Sequence, residues 1–133
     1  MNMKILQWLE NNKTTVDWVD LTTRWDKMQI AYNPYRNDQI GTIYHFSGVQ
    51  SLTNPKILDL CCGSGTLSKY FLSKNPNINV VAVDIEPFLM AMFKNSYPQD
   101  RITTELYNIR KADLFDKYQN YFDAVVSLKH YIG

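Results

Sequence analysis

The chain has 133 residues, of which 45% are hydrophobic, 20% charged and 14% aromatic, with a formal net charge of +1. That fits one globular domain with enough apolar material for a core. The near-neutral charge supplies no whole-molecule field toward nucleic acid or an anionic membrane, and no apolar run reaches the roughly 20 residues that span a bilayer.

The N-terminal MNMKILQWLENN is too polar for a secretory signal. The only cysteines, Cys61 and Cys62, are adjacent, which suits disulfide geometry poorly, so the expectation is a reduced, cytoplasmic protein. The two histidines lie far apart, and no metal site is expected. In chain order, residues 3–12 read as a short helix with Ile5, Trp8 and Leu9 on one side. A second helix is predicted over Val16 to Tyr32, where Trp18, Leu21, Trp25, Met28 and Tyr32 recur at three- and four-residue spacing. Pro34 interrupts it, and a third helix follows from Tyr35 to Phe46.

After Asn54-Pro55 the rhythm changes. KILDL, residues 56–60, reads as a buried strand and GTLSKYFLSK as a helix with Leu67, Tyr70 and Phe71 inward. NVVAVD is a second buried strand, continuous and β-branched, as interior parallel strands are. EPFLMAMFKNS reads as a helix with proline in its first turn. ELYNIRKAD, residues 105–113, reads as a weaker third strand and FDAVVS as a fourth. Strands alternating with helices predict an α/β fold with a parallel sheet and right-handed crossovers. The expected organisation is a helical cap over residues 1–50 and a Rossmann-like domain over 51–133.

The corner at 61–65 then lies between a buried strand and the helix after it, where open α/β sheets bind ligands. Gly63 and Gly65 let the backbone approach a ligand closely. C-C-G-S-G-T-L-S does not fit the glycine spacing of dinucleotide folds. Asp59, ahead of the loop, disfavours a pyrophosphate and suits an ammonium or sulfonium. Asp84 ends the second strand, placed to accept hydrogen bonds from ribose hydroxyls. Asp113, in ADLF at the end of the third, is placed to meet an adenine amino group. The inferred ligand carries ribose, adenine and a positive charge.

Residues 56–131 resemble the front half of a class I S-adenosylmethionine-dependent methyltransferase. ILDLCCGSG is similar to that family's first motif, with Cys61 at the position of its first glycine. VVAVDIEP, ADLF and FDAVVSLKHYI are similar to the second and third motifs and the fourth strand. RWDKMQIAYNPYR, residues 24–36, resembles the lead-in of small-molecule members. The resemblance implies S-adenosylmethionine contacts from Asp59, Cys61, Gly63, Ser64, Gly65, Asp84, Ile85, Asp113, Leu114 and Ser127. It also implies that Tyr32 and Arg36 hold the cofactor's carboxylate and that His130 is the candidate base. The cysteines are read as small loop residues, not nucleophiles.

The expected reaction is methyl transfer to a small-molecule acceptor, with no nucleic-acid partner. The resembling family has a seven-stranded sheet, and this chain stops after the fourth strand. It is therefore expected to be a fragment, one half of a split enzyme, a homodimer that covers its fourth-strand edge, or a compact form. The expected strand order is 3-2-1-4. Lyase, hydrolase or cyclase chemistry on the same cofactor, and a non-catalytic binding module or subunit, are the alternative expectations.

Overall fold

The computed structural model describes residues 3–111 and 113–129. Four parallel strands form one sheet in the order β3-β2-β1-β4: β1 (Lys56–Leu60), β2 (Asn79–Asp84), β3 (Ile102–Leu106) and β4 (Ala124–Ser127). β1 and β2 are the interior strands and are apolar on both faces, which the unbroken runs ILDL and VVAV require. Their register, Leu58 beside Val81 and Leu60 beside Val83, ends both strands at the same level. That common end carries the loop after β1 and the acidic residue that closes β2.

Two helices return the chain between the first three strands, α4 (Thr66–Lys74) and α5 (Pro87–Ser96). Right-handed crossovers place both on one face. There Leu67 and Phe71 of α4 and Met90 and Phe93 of α5 meet Ile57, Val80, Ala82 and Val126 of the sheet. Phe71 and Phe93 are fully buried, and each contributes roughly 2–3 kcal/mol relative to an exposed position. The opposite face is thinner. Leu58, Val81 and Val83 pack there against Leu114 of a short helix, α6 (Asp113–Lys117), with Tyr107, Tyr118 and Phe122 around them.

The helical segment comprises α1 (Met3–Asn12), α2 (Trp18–Tyr32) and α3 (Arg36–Ser47), within a residue or two of the expected bounds. Ile40 of α3 enters the main core beside the sheet, and Leu9 and Trp18 pack against Leu89, Ala91 and Met92 of α5. Asp17 caps α2 by accepting from the Asp20 N–H at 3.0 Å. The buried line of α2 is rotated from the expected aromatic stripe. It runs through Trp18, Thr22 and Gln29, while Leu21, Trp25 and Met28 are half-buried and Tyr32 is exposed. Thr22 is drawn inward because its hydroxyl donates to the Met92 carbonyl of α5 at 3.5 Å.

The third strand corrects the sequence reading. It spans Ile102–Leu106, not 105–113. Its length is set by its partner: the ladder runs from Val80 beside Ile102 to Asp84 beside Leu106, where β2 ends. The Tyr107 N–H makes one more bond, to the Asp84 carbonyl at 2.8 Å. The chain then turns at Asn108, whose side chain accepts from the Arg110 N–H at 3.0 Å. Asp113, Leu114 and Phe115 therefore open a helix instead of closing a strand. β4 is an edge, with Val125 exposed. Among the described residues no helix is long and apolar enough to cross a membrane.

Candidate functional site

The turn after β1 is built on left-handed backbone. Cys61, Gly63 and Gly65 have φ of 55°, 56° and 87°. Two backbone bonds hold it. The Cys62 N–H donates to the Val83 carbonyl of β2 at 2.9 Å, and the Gly65 N–H donates to the Cys62 carbonyl at 2.9 Å. Cys61 is the departure from the glycine pattern, and a side chain in this conformation stores roughly 1–2 kcal/mol of strain. Both thiols are pushed up, first by burial and then by the charges of Asp84 and Asp59. A thiol held in its neutral form is a poor nucleophile, which agrees with a loop role.

Asp84 closes the loop against β2. Its Oδ2 accepts from the Gly63 N–H at 2.8 Å and its Oδ1 from the Glu86 N–H at 2.9 Å. Beside it opens a cleft of about 270 Å³, lined by Cys61, Asp84, Ile85 and residues 107–110. Ile85 is exposed and forms an apolar wall. Asp84 ends β2, as expected from the sequence, and Ile85 follows it.

Asp113 does not line that cleft. Its carboxylate accepts from the Tyr107 hydroxyl, and the same hydroxyl accepts from the Leu114 N–H at 2.9 Å. Asp113 braces Tyr107, and Leu114 is buried against Leu58 and Val83. Asn108, two residues beyond the end of β3, lines the cleft and was not singled out from the sequence. Its signal was a side-chain amide two residues beyond a strand end, visible only once that end was correctly placed.

Asp59 lies behind the loop. It is 1% exposed, and its Oδ2 takes the Ser68 hydroxyl at 2.5 Å while its Oδ1 has no hydrogen-bond partner among the described residues. Burial pushes its carboxyl up to about 7; the Ser68 bond opposes this and the Asp84 charge adds to it. A carboxyl raised from 3.8 favours the folded state when protonated. That stability is fully present below about pH 4 and is lost as pH rises through 7. Asp59→Asn keeps the neutral shape. It should flatten the thermal stability profile between pH 4 and 7 and raise stability at pH 8, by on the order of 4 kcal/mol. Melting scans across that range check this, and a variant with the wild-type slope would assign the titration elsewhere.

A second polar cluster joins the helical segment to the loop. Ser64 and Thr66 donate from their hydroxyls to Asp26 Oδ1 of α2, at 2.9 and 3.2 Å. Arg36 of α3 donates from Nη2 to Thr66 Oγ1 at 3.0 Å, and its Nη1 lies 3.9 Å from Asp26. Arg36 is buried and its Nε has no hydrogen-bond partner among the described residues. Burial lowers its pKa, and the Asp26 charge partly offsets this. Tyr32 sits exposed at the end of α2. Ser127 ends β4, exposed, with its hydroxyl donating to the Leu60 carbonyl at 2.9 Å. His130 lies outside the described residues.

The architecture defines a parallel α/β sheet with a glycine corner and an acidic strand end at its carboxyl edge. Residues 57–133 match the methyltransferase domain family, and the chain belongs to that family. Over 97 residues, 73% of the chain and 33% of the relative, it is 27% identical to malonyl-(acyl-carrier protein) O-methyltransferase of Acetivibrio thermocellus. Over 87 residues, 65% of the chain and 26% of the relative, it is 24% identical to ribosomal RNA small subunit methyltransferase C of Haemophilus influenzae. The chain thus spans about a third or less of the length of these curated relatives. Among solved structures it resembles DesVI of Streptomyces venezuelae, with a TM-score of 0.60 at 18% identity over 86% of this chain and 44% of that one. It also resembles CalS10, an amino pentose methyltransferase from Micromonospora echinaspora solved with S-adenosylmethionine, with a TM-score of 0.55 at 17% identity over 93% of this chain and 42% of that one. These likenesses show the Rossmann-like fold.

Proposed function

We propose that this chain is the cofactor-binding part of an S-adenosylmethionine-dependent methyltransferase acting on a small-molecule acceptor. The observation that carries the reading is Asp84, which joins the glycine loop to the end of β2 at the wall of a cleft. A buried carboxylate with two backbone donors keeps lone pairs for ribose hydroxyls. Ile85 and Asn108 flank the adenine, in place of the expected Asp113, and Cys61, Gly63, Ser64 and Gly65 support the methionine portion. One orphaned buried atom suits its zwitterionic end: Arg36 Nε, a donor for its carboxylate.

When bound, the cofactor supplies an electrophilic methyl on sulfur. The protein's part is positioning, because the donor is already reactive. Ser127, at the end of β4 beside β1, borders the side from which an acceptor approaches. His130 is the proposed base. The net charge of +1 favours a small molecule over the RNA named for the Haemophilus relative. The two free cysteines agree with a reduced, cytoplasmic setting. The exposed edge of β4 is proposed to pair with a second copy or a complementing chain.

Calorimetric titration with S-adenosylmethionine, with the mass in solution recorded alongside, tests the reading. Saturable binding is expected. A folded chain that binds neither S-adenosylmethionine nor 5′-methylthioadenosine would overturn it. Methylthioadenosine formed without S-adenosylhomocysteine would replace methyl transfer by lyase or hydrolase chemistry.

A further inference from the structure

The positive end of the ligand was assigned from the sequence to Asp59, and the structure seals that residue in. One of its oxygens holds the Ser68 hydroxyl, and the other lies in the interior. An ammonium reaches it only by opening the packing between β1 and α4. Asp84 accepts one backbone donor at each oxygen and faces the cleft beside Ile85, where its remaining lone pairs are assigned to the ribose. Asp26 is the further carboxylate that touches the loop.

Three features suit Asp26 to a cation. It reaches the loop at Ser64, which lies between two left-handed glycines, so the loop carries its hydroxyl outward to α2. Its side chain is 30% exposed, against 5% for Arg36, so the carboxylate is the edge of the cluster that a ligand reaches. Its Oδ1 lies 3.9 Å from Arg36 Nη1, which sets a negative and a positive group side by side. The α-carbon of an amino acid carries an ammonium and a carboxylate at similar separation, with the opposite order of charge.

We propose that Asp26 receives the α-ammonium of the cofactor's amino-acid end while Arg36 receives its carboxylate. This rests on the cofactor reading above. It adds a specificity residue from the helical segment, one that separates a ligand with an intact amino-acid end from a bare nucleoside. Anchoring the helices to the loop is the competing role for Asp26, and the two roles differ in which ligands they affect.

The test measures three ligands by calorimetry on the whole chain: S-adenosylhomocysteine, its analogue lacking only the α-amino group, and 5′-methylthioadenosine, which has no amino-acid end. The wild type is expected to bind S-adenosylhomocysteine roughly tenfold or more tightly than the deaminated analogue. Asp26→Asn keeps the size and an acceptor oxygen for Ser64 and Thr66 but removes the charge. In it, that gap should shrink to about twofold, with methylthioadenosine affinity unchanged. Asp26→Ser reads the same gap should the asparagine variant fail to fold, and thermal melting establishes folding for both. Persistence of the gap in the variants, its absence in the wild type, or an equal loss for methylthioadenosine would overturn the proposal. A wild type that binds methylthioadenosine keeps the cofactor reading alive through any of these results. One that binds none of the three overturns both.

Discussion

Gly65→Ala is expected to lower the melting temperature by roughly 10 °C, with most of the loss coming from one steric contact. Gly65 adopts φ of 87°, and a Cβ built there would lie 2.4 Å from the Phe93 ring, far inside any real contact. Phe93 is fully buried under α4 and the sheet, so its ring has no free direction in which to move. Left-handed backbone for alanine costs roughly 1–2 kcal/mol, and forcing the core apart adds about 1–3 kcal/mol. Gly48 provides the internal control. It too is left-handed, with φ of 76°, but a Cβ there meets nothing within 4 Å. Gly48→Ala should therefore show the backbone cost alone. Combining Gly65→Ala with Phe93→Leu should cost less than the sum of the two single changes, because the smaller side chain vacates the space the new methyl needs. Additive losses would mean that the contact with Phe93 is not what requires glycine at this position.

The interior strands were legible because burial on both faces demands continuous apolar runs, and VVAV and ILDL are such runs. Helix bounds were legible for a similar reason: Pro34 interrupts a clear period, and Pro87 stands in the first turn of α5. β3 was not. It is the edge strand beyond β2, half-buried, and ITTEL offers no apolar run. Where it stops depends on where β2 stops, which is a fact about pairing and not about local sequence. Misplacing that end by several residues drew attention to Asp113 and away from Asn108, which lines the cleft. Loop residues whose role is set by backbone conformation, Gly63 and Gly65, were recognised from their spacing. Contacts across the fold were not, because 38 residues separate Asp26 from Ser64 and nothing in either neighbourhood announces the other. The inward rotation of Thr22 likewise depends on a carbonyl 70 residues away.

Asp84→Ala is expected to weaken S-adenosylmethionine binding by about a hundredfold or more. The carboxylate is proposed to accept from two ribose hydroxyls, and a hydrogen bond to a charged group contributes roughly 1.5–3 kcal/mol. Losing both therefore removes at least about 3 kcal/mol, which is roughly two powers of ten in affinity. A second loss acts through the loop. The Gly63 and Glu86 N–H groups both donate to this carboxylate, and alanine leaves them without that acceptor. The Gly63 bond is buried, so the variant should also melt at a lower temperature. The two effects separate through the ligand. If Asp84 acts on the ribose, the wild type should bind methylthioadenosine far more tightly than its 2′,3′-dideoxy counterpart, and Asp84→Ala should bind the two alike. If Asp84 serves only to shape the loop, the variant should lose affinity for both nucleosides equally. Unchanged affinity for S-adenosylmethionine would remove the ribose from this position, and with it the observation on which the proposed function stands.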